Sequence, residues 1–129
     1  MLRNPSMGKR LFYLIFSLYD LVPSGAPLNI VGKSRDSTTL EIKWDPPLLV
    51  HRNGIITHYY IKYKAKGERA KHVTVDGIKT SVVLHNLKKF TNYFVWVSAR
   101  TKEGEGPKSV RHTVSTAEDG KTESIPLNS

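Results

Sequence analysis

The sequence predicts an all-β protein, an antiparallel β-sandwich of seven strands between residues 27 and 116. Short segments rich in Val, Ile, Thr and Tyr recur along this stretch, and turn residues separate them. Apolar and polar residues alternate within the segments, and no segment repeats its apolar residues at a helical period. A strand spacing of about twelve residues is typical of a sandwich.

The first three predicted strands occupy the first half of this stretch. Residues 28–33 are predicted as an edge strand, and residues 40–44 as a half-buried strand with apolar side chains at every second position. Asp45-Pro46-Pro47 ends the second strand, because proline lacks the N–H that a β-ladder needs. After the turn pair Asn53-Gly54, which tolerates positive φ angles, the third strand covers residues 56–63.

Four further strands complete the predicted sandwich. Residues 72–75 and 82–84 form two short strands, residues 93–99 form the longest strand, and residues 110–116 form the last one. Residues 103–107 (EGEGP) are predicted as a loop that interrupts the strands, because glycine and proline are disfavoured in a ladder.

The same alternation predicts the core. Every second residue of a half-buried strand faces the interior. Trp44 and Tyr93 are predicted to be buried large aromatic residues of this core. The predicted core consists of Leu40, Ile42, Trp44, Tyr59, Ile61, Tyr63, Leu84, Leu87, Tyr93, Val95 and Val97.

Four motifs in this stretch occur in the order and spacing of a known family. They are Trp44-x-Pro46-Pro47, Ile56-x-x-Tyr59-x-Ile61-x-Tyr63, the pair Leu87 and Tyr93, and Gly104-x-Gly106-Pro107-x-Ser109. Residues 27–116 thereby resemble a fibronectin type III domain, a seven-stranded immunoglobulin-like β-sandwich. The short segments WDPP, RNGIIT and NLKKFTNY are most similar to those in modules of receptor-type tyrosine phosphatase ectodomains and neural cell-adhesion receptors. The resemblance implies that Tyr93 forms a tyrosine corner.

A basic and apolar segment precedes the predicted domain. Arg3, Lys9 and Arg10 are followed by an apolar run at residues 11–19 (LFYLIFSLY), which is too short to span a bilayer as a helix. Residues 1–20 have the layout of a secretory signal, although the expected cleavage site is poor. The alternative is that they are the end of a different segment.

The positive charge belongs to the predicted domain and not to the termini. The chain has 20 Lys and Arg against 11 Asp and Glu, and its net charge of +9 arises within residues 27–116. Residues 21–26 are predicted as a linker that makes few contacts, and residues 117–129 as a polar tail. An acidic partner is consistent with this charge.

The sequence contains no pattern that indicates catalysis. It has no cysteine, and its five histidines do not lie at metal-ligand spacing with another His, Asp or Glu. The loop with Gly104 and Gly106 precedes a predicted strand instead of a helix, so it does not indicate a phosphate site. We therefore predict no enzymatic activity, no metal and no cofactor.

Two surface features indicate binding. Alternation predicts an outward face made of Tyr60, Lys62, Lys64, Phe94, Trp96 and Arg100, with Ser98 among them. Exposed aromatic residues beside cations have the composition of a protein interface. In the alternative interpretation the long Lys and Arg side chains simply cover the rings.

The second feature is a basic stretch that is predicted to contact a sulfated glycosaminoglycan such as heparin, or acidic lipid headgroups. Its residues are Lys62, Lys64, Lys66, Arg69 and Lys71. The alternative is an ordinary solvated surface. No nucleic-acid reader motif occurs, and nucleic acid is not predicted as a partner.

The sequence therefore predicts a non-catalytic interaction module of a cell-surface receptor or adhesion protein. Its predicted partners are a protein ligand or neighbouring domains, together with a glycosaminoglycan at the basic stretch. No membrane-spanning segment is predicted in the chain. The alternative is a structural module of a cytoplasmic filament or scaffold protein, because such proteins use the same fold.

Overall fold

The computed structural model describes residues 21–118, which form two antiparallel sheets. The strands are β1 (Leu28–Asp36), β2 (Thr39–Asp45), β3 (His58–Ala65), β4 (Lys71–Asp76), β5 (Ser81–Leu84), β6 (Asn92–Thr101), β7 (Gly104–Lys108) and β8 (His112–Ser115). The smaller sheet has the order β1-β2-β5, and the larger has the order β4-β3-β6-β7, with β8 also paired to β6. The predicted all-β sandwich is confirmed, with eight strands in place of seven.

The additional strand, β7, lies where the sequence predicted an interrupting loop. It pairs with the end of β6, so that Arg100 lies opposite Glu105. Pro107 is tolerated there because β7 is an edge strand, where a missing N–H leaves no ladder bond unmade.

Ser109 separates β7 from β8 without ending the pairing with β6. The backbone N–H of Ser109 donates to the carbonyl oxygen of Val97 at 2.8 Å, and the N–H of Val97 donates to Oγ of Ser109 at 3.0 Å. The serine hydroxyl thus replaces a backbone acceptor at the interruption. Because the Ser109 hydroxyl accepts in place of a carbonyl group, the short strands β7 and β8 can both pair with the long strand β6.

The core lies between the two sheets. All eleven residues assigned to it from the alternation are buried, and Ile30, Ala65, Ala99 and Val114 are buried with them. The rings of Trp44 and Tyr59 bring the two sheets together, with 5.2 Å between their centroids. Burial raises the pKa of the Tyr59 hydroxyl, because the phenolate would be poorly solvated there.

Tyr93 closes the turn before β6. Its ring is buried, and its hydroxyl oxygen accepts a hydrogen bond of 2.8 Å from the backbone N–H of Lys88. Leu87 is buried beside this turn. The arrangement has the geometry of a tyrosine corner, in which one side chain ties a connecting loop to the start of a strand.

Residues 21–26 pack against the sandwich, so the expectation that they form a linker with few contacts is wrong. Pro23 is buried, and it lies so close to Gly106 that a Cβ on that glycine would approach the Pro23 Cβ to 2.7 Å. The side-chain amide of Asn53 donates to the carbonyl oxygen of Val22 at 3.0 Å. The backbone N–H of Ser24 donates to the carbonyl oxygen of His51 at 2.8 Å. The glycine within β7 therefore makes room for the incoming chain. The segment preceding it, residues 1–20, lies outside the described residues.

Replacing Tyr93 with Phe should lower the free energy of unfolding by about 1–3 kcal/mol, because the N–H of Lys88 loses its acceptor. Urea denaturation followed by circular dichroism measures this change. The matched control is Tyr60→Phe on the outer surface, for which the expected change is within about 0.5 kcal/mol. Equal losses in the two variants would contradict the role given to the hydroxyl.

A chain that begins at Pro27 should be less stable than one that begins at Leu21, by about 1–3 kcal/mol, because buried Pro23 and four hydrogen bonds to the sandwich are lost. Urea denaturation compares the two chains. Asn53→Ala in both backgrounds is the control, since its amide bond to Val22 exists only in the longer chain. Identical unfolding midpoints for the two chains would show that the segment contributes nothing.

Candidate functional site

The outer surface of the larger sheet carries the candidate binding residues. Tyr60 pairs with Ser98, Lys62 with Trp96, and Lys64 with Phe94. Directly paired residues of neighbouring antiparallel strands project to the same side of a sheet. We call this surface the aromatic–cationic face, and its residues are Tyr60, Lys62, Lys64, Phe94, Trp96 and Arg100.

Phe94 and Trp96 are half-buried, although the sequence predicted them as exposed. The Nζ of Lys62 lies 4.9 Å from the centre of the Trp96 ring, and the Arg111 guanidinium lies 4.2 Å from that of Phe94. The two rings meet edge to face, with their centroids 6.4 Å apart. Cations therefore cover the rings from above, as the alternative interpretation of the sequence anticipated.

Tyr60 is covered by a histidine from the neighbouring strand. The rings of Tyr60 and His72 stack at a centroid distance of 4.8 Å and an interplanar angle of 18°. His72 alternates with the half-buried Val73, and this alternation was the signal that would have assigned it to the face. Arg111 lies directly before β8, within the predicted strand of residues 110–116. An odd number of residues separates it from the inward-facing Val114, and this spacing was the signal that would have assigned it to the face.

Ser98 also differs from its prediction. It projects outward but is fully buried, because β7 lies alongside it and its hydroxyl donates to the carboxylate of Glu105. One end of the aromatic–cationic face is therefore bounded by an acidic residue that is already hydrogen-bonded within the fold.

The five cations of the basic stretch do not lie on one surface. Lys62 and Lys64 belong to the aromatic–cationic face, whereas Lys71 pairs with Tyr63, whose ring faces inward. Arg69 and Lys71 line a small cavity beside Tyr63 and Tyr93, and Lys64 lines it as well. Because side chains alternate along a strand, Lys62 and Lys71 project to opposite sides of the sheet. That the five cations act together stays a prediction.

The one acidic residue of this stretch is engaged within the fold. The Glu68 carboxylate accepts a hydrogen bond from the Lys88 ammonium group and forms an ion pair with it. This contact raises the pKa of Lys88 above its ordinary value, so its ammonium group stays charged near neutral pH. Lys66 lies exposed in the turn between β3 and β4.

A polar cavity lies at the end of the aromatic–cationic face where Arg100 is located. Its lining residues are Thr57, His58, Thr74, Arg100, Thr101 and Lys102. Two of these carry a positive charge, none is acidic, and three offer hydroxyl groups. The hydroxyls of Thr57 and Thr101 already donate to backbone carbonyl oxygens, those of Arg100 and Leu21. The lining suits an oxyanion mainly through the charges of Arg100 and Lys102.

Residues 21–118 contain no group of three or more His, Asp or Glu residues that could hold a metal ion. Several histidines have other contacts: His51 bonds with Ser24 at 3.0 Å, and His58 bonds with Thr57 at 3.1 Å. None of the helices in the described part is long and apolar enough to cross a membrane.

Comparison with known proteins relates both the sequence and the fold to one family. The model of the fibronectin type III domain matches residues 25–115. The third fibronectin III domain of human KIAA0343 protein, known in solution, superposes with a TM-score of 0.69 at 29% identity, covering 83% of this chain and 92% of that one.

Two curated relatives are much longer than this chain. Receptor-type tyrosine-protein phosphatase F from Mus musculus is 44% identical over 117 residues, which cover 83% of this chain and 6% of the phosphatase. Cell adhesion molecule Dscam1 from Drosophila melanogaster is 35% identical over 103 residues, which cover 74% of this chain and 5% of the relative. The similarity is thus confined to one small part of each relative.

Proposed function

This chain belongs to the fibronectin type III family, and from that membership we propose that it is a non-catalytic interaction module of a cell-surface receptor or adhesion protein. The relatives, which are named as a receptor-type phosphatase and a cell adhesion molecule, favour a place at the cell surface over one in a cytoplasmic filament. The proposed ligand is a protein that binds the aromatic–cationic face.

The observation that carries this proposal is the layering of cations over aromatic rings on the outer surface of one sheet. Lys62 lies over Trp96, and Arg111 lies over Phe94. Aromatic residues and Arg are the side chains that most often dominate the free energy of binding at protein interfaces.

The geometry also indicates the chemistry of the ligand. Carboxylates of a partner would form ion pairs with Lys62 and Arg111 at an interface from which water is excluded. These ion pairs would replace the cation–π contacts, each of which is worth about 0.5–1 kcal/mol. The rings of Trp96 and Phe94 would then be free to pack against apolar side chains of the partner. We therefore propose a ligand surface with an apolar centre and an acidic rim.

A second candidate ligand is a sulfated glycosaminoglycan. The polar cavity around Arg100 and Lys102 favours it, because the cavity offers two cations and has no acidic residue in its lining. Lys62 and Lys64 extend the row of positive charge along β3 from this cavity. Each sulfate contact releases counterions, so the affinity for such a chain should fall steeply with salt.

Binding of the fluorescently labelled protein to intact cells, measured by flow cytometry, tests the proposal. Trp96→Ala should weaken binding at least about tenfold, since central aromatic residues carry much of an interface's free energy. Lys62→Glu combined with Lys64→Glu should weaken it comparably. The matched control is Lys33→Glu combined with Lys79→Glu, which changes the net charge equally at exposed positions outside the face.

Pretreatment of the cells separates the two ligand classes. Loss of binding after trypsin but not after heparinase supports a protein ligand, whereas loss after heparinase supports the glycosaminoglycan. Equal weakening by the face and control variants, or no saturable binding of the wild-type protein, would overturn the proposed role of the face. Circular dichroism should show that each variant keeps the wild-type fold.

A further inference from the structure

Strand β4 leaves one edge of the larger sheet open. It is the end strand of that sheet, and within residues 21–118 it pairs with β3 alone. The open edge of a sheet presents backbone N–H and C=O groups that can pair with a further strand. The edge of β4 is therefore a surface with the chemistry to bind an extended backbone.

The other described edges carry features that discourage such pairing. The opposite edge of the larger sheet contains Pro107, β1 has two register shifts against β2, and β5 is only four residues long. Strand β4 has six residues without proline or glycine, and its register with β3 is unbroken. Proline, bulges and short length are means by which sheet edges avoid association, and β4 lacks all three.

The hydrogen bonds of the sheet show which way the backbone of β4 faces. The backbone N–H and C=O of Val97 bond with Ser109, so they point away from β3. Ile61 lies opposite Val97 and therefore directs its own backbone groups to the other side, towards Val73 of β4. The bond of 2.9 Å from the N–H of Gly77 to the carbonyl oxygen of Thr57 has the same alternation.

Every second residue of β4 thus turns its backbone to the open edge. Residues 71, 73 and 75 bond to β3, because hydrogen-bonded and non-bonded pairs alternate along an antiparallel ladder. The residues whose N–H and C=O groups point outward are His72, Thr74 and Asp76. All three side chains are exposed.

We propose that β4 pairs with β4 of a second copy of this chain, antiparallel and about a two-fold axis at Thr74. Thr74 then lies opposite itself, and His72 lies opposite Asp76 of the second copy. A shift by two residues in either direction would leave one of the three outward residues unpaired. The Asp76 carbonyl oxygen also accepts from the N–H of Lys79 at 3.0 Å, and its second lone pair is available to His72.

The outward side chains are complementary in this register. The imidazole of His72 would donate to the carboxylate of Asp76 in the second copy, and the two Thr74 side chains would meet at the axis. Within one copy, Asp76 lies opposite His58, and His72 lies opposite Lys62. Each carboxylate would therefore lie among donors and cations.

The inward side chains are complementary as well. Val73 and Val75 are half-buried and pack against the core. In the proposed register Val73 lies opposite Val75 of the second copy, in the kind of pair whose side chains approach most closely. The pairing would remove the exposed parts of these valines from water and extend the apolar layer from one copy to the next.

The paired copies would present two aromatic–cationic faces on the same side of one continuous sheet. A ligand array on a cell could then engage both faces, which raises the apparent affinity without a new contact. The inference does not rest on the proposed function, because it uses only the open edge of β4. Each copy carries a net charge of +9, so the pairing should be measured at physiological salt, which screens the repulsion at long range.

Sedimentation velocity of the full chain over a range of concentrations tests the pairing. The mass should rise from that of one chain towards that of two. Thr74→Pro should weaken association at least about tenfold, because the outward N–H is lost while the bonds to β3 stay. The matched control is Thr113→Pro, an exposed residue of β8 whose N–H also points away from its partner strand. A monomer at every concentration, or equal weakening by the two prolines, would overturn the proposal.

Charge changes test the register. His72→Asp should weaken association at least about tenfold, because it would face Asp76 of the second copy. Adding Asp76→Lys should restore the association, since opposite charges then face each other again. Failure of the double variant to restore it would overturn this register. Circular dichroism should show the wild-type fold for each variant.

A disulfide at the axis gives an independent measurement. The sequence has no cysteine, so Thr74→Cys places one thiol per chain directly opposite its copy. It should form disulfide-linked dimers on mild oxidation, whereas Thr113→Cys should not. Equal cross-linking of the two variants would contradict the pairing. A wild-type monomer whose binding to cells is lost in Thr74→Pro would assign the edge to an extended strand of another protein and would overturn pairing between copies.

Discussion

The register between β3 and β6 is the constraint on which both the core and the candidate face depend. Eight directly opposed residue pairs hold these two strands together at the centre of the larger sheet. The pairing that places Ile61 opposite Val97 in the core also places Lys62 opposite Trp96 on the outside. Since side chains alternate along a strand, a slip of one residue would exchange the two sets, burying cations and exposing apolar residues. The core therefore specifies the face.

The cations over the aromatic–cationic face bear on its proposed role in binding. Uncovered rings of Phe94 and Trp96 would form an apolar patch, whereas Arg111 and Lys62 cover them with side chains that keep their charge in water. Each such contact is weak, about 0.5–1 kcal/mol, so a partner of complementary charge can displace it. A covered face of this kind is stable in the free molecule and still available to a ligand.

Acidic residues of the module are largely engaged within the fold, and this shapes its positive potential. Glu68 pairs with Lys88, Glu105 accepts from the buried Ser98, and Glu41 lies 4.0 Å from both Lys33 and Lys43. Exposed pairs such as these contribute little to stability. Their larger effect is that the remaining cations face solvent with few acidic neighbours, which favours the approach of an acidic partner.

The period-two pattern in the sequence by itself determined the sandwich, its inward residues and the side on which Lys62 and Trp96 project, because alternation is a local property of each strand. Only the tertiary structure decided that Gly104–Lys108 forms an edge strand, that Arg111 covers Phe94 and that Lys71 and Lys62 project to opposite sides of the sheet. It also decided that residues 21–26 pack on the sandwich. Each of these features is a contact between segments distant in sequence, or follows from how a turn redirects the chain. Such contacts depend on which strands become neighbours in space, and no local pattern of residues carries that information.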